Sequence, residues 1–153
     1  MKKIALLLLI LISFSLAAET KYISTIAAKS VIRELPEANS REVFTTDKYY
    51  PLKVLETRNS WYKVVDFEGT EGWIFKNIVS NDPCLVVKER AHVRTGAGLN
   101  YELYWEADKY SAYKLVESKK DWVKILDPKD NTSGWVYAPL MWGAQADIFN
   151  NVK

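Results

Sequence analysis

Residues 31–66 and 92–127 are two versions of one sequence, offset by 61 positions without a gap. Ten positions are identical: Arg33/Arg94, Asn39/Asn100, Asp47/Asp108, Lys48/Lys109, Tyr49/Tyr110, Lys53/Lys114, Glu56/Glu117, Trp61/Trp122, Lys63/Lys124 and Asp66/Asp127. One added residue in the second copy then brings Gly72-Trp73-Ile74 onto Gly134-Trp135-Val136. A repeat of this length constrains architecture more than any other signal, because each copy must specify the same small unit. The two units take up most of the chain, an arrangement that favours two-point binding over chemistry.

The N-terminus is of a different kind. Met1-Lys2-Lys3 is a basic start, and Ile4 to Leu16 is apolar apart from Ser13 and Ser15. Small residues at Ser15-Leu16-Ala17-Ala18 suit a signal peptidase, so residues 1–18 are expected to be a secretory signal peptide and the protein periplasmic or secreted. The apolar run is short against the roughly 20 residues of a spanning helix, so no stable membrane insertion of the mature chain is expected. Lys2 and Lys3 account for the excess of 21 Lys and Arg over 19 Asp and Glu. The remaining chain is formally neutral and carries no overall attraction for nucleic acid or anionic lipid.

One cysteine, Cys84, cannot make an internal disulfide, so stability has to come from packing. Cys84 opens the apolar stretch Cys84-Leu85-Val86-Val87 and reads as a small buried hydrophobe. Units of about 60 residues bury limited apolar area. The six Trp and nine Tyr supply large rings that help such small cores.

Helical periodicity is weak, and short runs of branched and aromatic residues dominate, which is the strand signal. The first copy predicts strands at Tyr22–Ala27, Ser30–Arg33, Glu42–Thr45, Leu52–Glu56, Trp61–Phe67 and Gly72–Phe75. The second predicts them at Leu85–Glu89, Ala91–Arg94, Glu102–Glu106, Tyr113–Glu117, Trp122–Leu126 and Gly134–Tyr137. Gly-, Asn- and Asp-bearing turns separate them. Ser80-Asn81-Asp82-Pro83 marks a boundary only a few residues long, so the modules should touch. The expected layout is a signal peptide over 1–18, modules over 20–80 and 84–142, and a C-terminal tail over 143–153.

The second copy contains Ala91-His92-Val93-Arg94-Thr95-Gly96-Ala97-Gly98-Leu99-Asn100-Tyr101, then Trp122-Val123-Lys124-Ile125 and Gly134-Trp135-Val136-Tyr137. This ordered set resembles the bacterial SH3-like domain. The first copy keeps Val31-Ile32-Arg33, Asn39, Trp61-Tyr62-Lys63-Val64 and Gly72-Trp73-Ile74, but has Glu34-Leu35-Pro36-Glu37-Ala38 in place of the glycine-rich loop. The resemblance implies an all-β fold, two SH3-like small β-barrels in tandem. It also implies an exported or envelope setting and contact with peptidoglycan or its peptide stems. It places Asn100, Tyr101, Tyr104 and Tyr137 beside the region that forms the peptide groove in the related eukaryotic fold. The groove proline and tyrosine of that fold are replaced by Phe75 and Ile78 in one copy and by Tyr137 and Leu140 in the other, which argues against proline-rich ligands.

Strand alternation adds an argument from the residues themselves. Val123 and Ile125 share one face; Trp122 and Lys124 share the other, which should be wet. Trp61 and Trp122 therefore stand part-exposed at strand starts, either as stacking platforms for a sugar or an extended peptide or as covers over a barrel end. The candidate ligand-binding set is Trp61, Trp122, Tyr101, Tyr104, Tyr137 and Asn100. Trp73 and Trp135, in the repeated Gly-Trp element, read as packing residues. Arg33 and Arg94 could pair a ligand carboxylate or make an internal ion pair ordering the adjoining loop. Asp47-Lys48-Tyr49 and Asp108-Lys109-Tyr110 read as turns with acid and base in solvent.

Little supports catalysis. His92 is the only histidine, and its counterpart is Val31, which suggests a strand position facing apolar surroundings. No phosphate loop, dinucleotide fingerprint or serine elbow is present. One His and one Cys make a poor metal site. The sequence thus predicts a non-enzymatic binding protein without cofactor or metal, its partner peptidoglycan or an extended peptide. The alternative is an envelope adaptor or assembly subunit bound to another protein.

Overall fold

The computed structural model describes residues 19–144. The expected signal segment and residues 145–153 of the expected tail lie outside the described residues. The first module comprises β1 (Tyr22–Thr25), β2 (Ser30–Arg33), β3 (Glu42–Thr46), β4 (Pro51–Arg58), β5 (Trp61–Val65), β6 (Glu71–Phe75) and β7 (Val79–Ser80). The second comprises β8 (Cys84–Val87), β9 (Ala91–Arg94), β10 (Leu103–Ala107), β11 (Ala112–Lys119), β12 (Trp122–Leu126), β13 (Ser133–Tyr137) and β14 (Met141–Gly143). Each set forms one antiparallel sheet, in the orders β3-β2-β6-β5-β4-β1-β7 and β10-β9-β13-β12-β11-β8-β14. The orders are identical strand for strand, so the chain is all-β with two SH3-like modules in tandem. A single 3-10 turn precedes the last strand of each, at Lys76–Ile78 and Ala138–Leu140.

The duplication extends to backbone conformation. Positive φ occurs at Tyr49 and Tyr110 (69° and 71°), at Asn59 and Lys120 (47° and 53°), and at Gly69 and Asn131 (86° and 62°). Each pair occupies the same turn in its module. Such angles are rare outside glycine, so their recurrence reports the same turn geometry, not similarity of composition. The repeated Gly-Trp element also has a steric cause. A Cβ on Gly72 would lie 2.9 Å from the Arg33 carbonyl oxygen, and one on Gly134 3.1 Å from that of Arg94. Glycine lets the strand before the tryptophan close onto β2 or β9, where Arg33 pairs with Trp73 and Arg94 with Trp135.

Inward residues of alternate strand positions fill each core. Ile23, Ile32, Leu52, Val64 and Ile74 fill the first; Leu85, Val87, Val93, Val123, Ile125 and Val136 fill the second. Each such side chain contributes about 1.5–3 kcal/mol on leaving water. Two strands escaped the sequence reading. The two-residue β7 and three-residue β14 are too short for a periodic signal, yet they pair with β1 and β8 and complete each sheet. The second sheet also runs through Gly143 to the buried Ala144, two residues into the segment expected to be tail. The strand expected over Trp61–Phe67 stops at Val65, because Asp66 Oδ1 turns the chain by accepting from the backbone N–H of Glu68 and Thr70.

The modules are packed on one another. All four residues of β8 are buried. Leu85 and Val87 enter the second core, while Val86 enters the first, accompanied by Ala112 and Trp142. A strand covered on both faces reads as an unbroken apolar run, which is why Cys84–Val87 does not alternate. Trp142 meets Tyr22 edge-on with ring centroids 5.2 Å apart. Behind it Gly143 (φ 126°) threads between strands: a Cβ there would lie 2.5 Å from the Cys84 carbonyl oxygen and 2.7 Å from Pro51 Cβ. Cys84 itself is 1% exposed. Burial pushes its thiol up to about 11, partly offset by a hydrogen bond with Ser24, so the sulfur stays protonated at neutral pH.

A polar clamp closes one side of this interface. Lys109 Nζ donates to Glu68 Oε1 at 2.8 Å, and the Tyr110 hydroxyl donates to the same oxygen at 3.0 Å. The Phe67 and Tyr110 rings lie 5.6 Å apart. The basic residue of Asp108-Lys109-Tyr110 is exposed, as its sequence suggested, and is also engaged across the module boundary. The Lys109 and Tyr110 hydrogen bonds hold the Glu68 carboxyl below its ordinary 4.5.

Candidate ligand-binding face

β9 alternates cleanly. Ala91 and Val93 are buried, and His92 and Arg94 point outward. On β13, Gly134 and Val136 are buried, while Trp135 and Tyr137 lie on the outer face. On β12 the outer pair is Trp122 and Lys124. Register joins them: Trp122 is opposite Tyr137, Lys124 opposite Trp135, and Trp135 opposite Arg94. Three strands thereby build one aromatic and basic surface. At its end is a shallow cleft of about 220 Å³ lined by Arg90, His92, Arg94, Leu99, Trp122, Tyr137 and Leu140. Trp122 and Tyr137 meet with ring centroids 5.9 Å apart, and Tyr137 keeps 42% of its surface exposed.

Of the sequence-predicted set, Trp122 and Tyr137 come together in this cleft. Tyr101 reaches it indirectly: Arg94 Nη1 donates to the Tyr101 carbonyl at 3.0 Å. The Tyr101 ring lies over Gly96, where an added Cβ would run into the ring. The glycines of this loop thus leave room for a side chain, since neither Gly96 nor Gly98 has positive φ. Asn100 and Tyr104 are exposed but are not among the cleft residues. Asn100 stands in the loop, and Tyr104, at the irregular register of β10, packs edge-on against Trp105 with centroids 5.0 Å apart. Trp61 is in the other module, edge-on to Phe75 at 5.2 Å.

The first module presents the same strands with a different surface. Arg33 makes the same hold as Arg94, donating from Nη1 to the Ser40 carbonyl at 2.8 Å. Among the described residues neither arginine forms the ion pair weighed from the sequence; a backbone carbonyl serves in its place. Ser40 stands where Tyr101 stands in the second copy, so no ring needs room and Leu35 replaces Gly96. Trp73 is 6% exposed, capped by the Arg58 guanidinium 4.8 Å from its ring. Arg58 is held in turn by Glu56 at 2.8 Å, and Lys63 pairs with Glu71 at 2.8 Å. The second-module counterparts of Arg58 and Glu71 are Lys119 and Ser133, and neither cover is made. Trp135 stays half-buried, and Lys124 forms no ion pair among the described residues.

His92 corrects the sequence expectation. It is exposed, with Nε2 3.2 Å from Glu106 Oε1, not set among apolar groups. The expectation followed the Val31 counterpart, whereas the alternation of Ala91-His92-Val93-Arg94 put His92 outward with Arg94. That same alternation was the signal available for Arg94 as a cleft residue. Leu99, on a loop, and Leu140, on a 3-10 turn, carry no such periodic mark. Among the described residues no group of three or more His, Cys, Asp or Glu could hold a metal ion.

The family described as bacterial SH3 domain matches twice, over residues 30–80 and over residues 87–143. The chain belongs to the bacterial SH3 domain family. Similar solved structures include an NlpC/P60 family protein from Bacillus cereus ATCC 10987, at 10% identity and a TM-score of 0.39, covering 80% of this chain and 56% of that one. NlpC2 from Trichomonas vaginalis is similar at 11% identity and a TM-score of 0.36, covering 81% and 48%. The chain spans about half the length of these proteins. No curated protein matches. Within its second bacterial SH3 module, Tyr137 and Leu140 line the cleft. No helix among the described residues is long and apolar enough to cross a membrane.

Proposed function

We propose that the chain is an exported, non-enzymatic binding protein whose second module recognises cell-wall peptidoglycan or an extended peptide, while the first module supports it. The observation that carries this reading is the open cleft of the second module. There Trp122 and Tyr137 stand beside Arg94, with His92 and Leu99 at positions that are Val31 and Ala38 in the first module, where Arg58 also caps Trp73 and Glu71 pairs Lys63. Paired exposed rings offer flat apolar area at low entropic cost, which suits a sugar face or an extended backbone. The basic start and apolar run at the N-terminus favour export to the periplasm or beyond. Pelleting of the purified protein with sacculi tests the reading: wild type co-sediments, and Trp122→Ala stays in the supernatant. Folded wild-type protein that does not pellet removes the wall ligand.

A second reading, an envelope adaptor, is favoured by Leu103 and Tyr104. Both are about half exposed on the edge strand β10, outside the cleft. In-cell crosslinking from position 104 yields one defined protein adduct on this reading and wall fragments on the first.

A further inference from the structure

We propose that the second-module cleft selects a carboxylate, held by Arg94, at the end of an extended chain whose adjoining segment lies on Trp122 and Tyr137. This rests on reading the cleft as the binding site and names the chemistry it selects. Two guanidinium groups and one imidazole line the cleft, and they are not equivalent. Arg90 already faces Glu106 at 3.6 Å and Asp108 at 3.7 Å. His92 faces Glu106 at 3.2 Å. Arg94 has no carboxylate partner among the described residues. Its hydrogen bond is the one donated from Nη1 to the Tyr101 carbonyl.

That bond consumes one of the five guanidinium N–H donors and fixes the plane of the group, leaving donors for a second acceptor. Arg94 is thus the one guanidinium of the cleft with no carboxylate opposite it among the described residues, and its remaining donors are available to a ligand. A planar carboxylate meets those donors with charge-assisted bonds in a geometry that ammonium groups do not reproduce. The neighbouring lining is apolar and aromatic, namely Leu99, Trp122, Tyr137 and Leu140, so the carboxylate must be carried on a chain that also covers rings. The first module supplies the contrast. Arg33 is held the same way, but Val31 and Ala38 replace His92 and Leu99.

A free carboxylate of this kind ends both a peptidoglycan stem and a protein chain, and paired probes separate these sources. The probes are N-acetylmuramyl dipeptide and an acetylated tetrapeptide of L-residues, each as the free acid and as the terminal amide. Binding to the 15N-labelled protein is followed by amide shifts at Trp122, Tyr137 and Arg94. The expected result is that the free acid of at least one pair binds about tenfold more tightly than its amide. Arg94→Gln abolishes that preference, and Arg94→Lys retains part of it. The pair that shows the preference identifies the source. The amide arm leaves the protein untouched, so the comparison holds even if Arg94→Gln disturbs the loop held through Tyr101. Acid and amide binding equally, with both lost in Trp122→Ala, overturns the carboxylate while leaving the cleft as the binding site. Binding that survives Trp122→Ala, or no shifts with any probe, overturns both.

Discussion

The two modules share strand order, turn geometry and the arginine that pins the loop, yet their outer faces differ: the repeated tryptophan Trp73 is covered and Trp135 is not. The difference comes from a few side chains. In the first module Arg58 lies over Trp73, and Glu71 occupies Lys63. In the second the same positions hold Lys119 and Ser133, and Trp135, Tyr137 and Trp122 are left with exposed area. A duplicated fold thus does not duplicate a site. Backbone geometry is set by glycines, turns and core positions common to both copies, whereas the site depends on outward residues that were free to diverge.

Four experiments bear on this comparison, from the largest effect to the smallest. The division into supporting and binding module requires the two to be one mechanical unit. Trp142→Ala, which removes a second-module ring from the first module's core, is expected to cost about 3 kcal/mol. Thermal unfolding should then remain a single transition at lower temperature. Two separated transitions, with only the second module affected, would show that the modules are independent.

Binding comes next. Trp122→Ala is expected to weaken sacculus pelleting by at least about tenfold, and Trp61→Ala by less than about twofold. Equal losses would mean that both modules bind. Uncovering Trp73 sharpens the same point: Arg58→Ala should raise acrylamide quenching of tryptophan fluorescence while lowering stability by less than about 1 kcal/mol, because the capping contact is exposed. Unchanged quenching would show that Arg58 does not shield the ring.

The smallest effect concerns pH. Lys109 and Tyr110 hold the Glu68 carboxyl below 4.5, so the clamp's contribution is present above the ordinary carboxylate value. It is lost as pH falls through the depressed one. Hydrogen exchange at residues 67–69 and 109–111 should quicken in that acidic window in wild type but not in Glu68→Gln. Identical profiles would remove the clamp.

Much of the fold was legible because its determinants are local. Alternation in Trp122–Leu126, the Gly-Trp element and the Asp-Lys-Tyr turn each carry their geometry within a few residues, and the repeat confirmed every reading by presenting it twice. The short β7 and β14 were not legible, since two or three residues hold no period. The candidate site was legible in half. Alternation marked Trp122 as a part-exposed ring and the family resemblance pointed to Tyr137, but the positions of Tyr101, Asn100 and Tyr104 depended on where the loop and the edge strand came to lie. Lys109 looked like a solvated turn residue because its partner, Glu68, is 41 positions away.

By itself the sequence determined two copies of one all-strand unit, their turns and their inward faces, because hydrophobic period and backbone preference act over neighbouring residues. Only the tertiary structure decided that Val86 and Trp142 of one module complete the core of the other. It alone decided that Glu68 meets Lys109 and that Arg58 covers Trp73 while Trp135 stays half-buried. Those outcomes are contacts between segments remote along the chain, and no local pattern records which remote surface a side chain will meet.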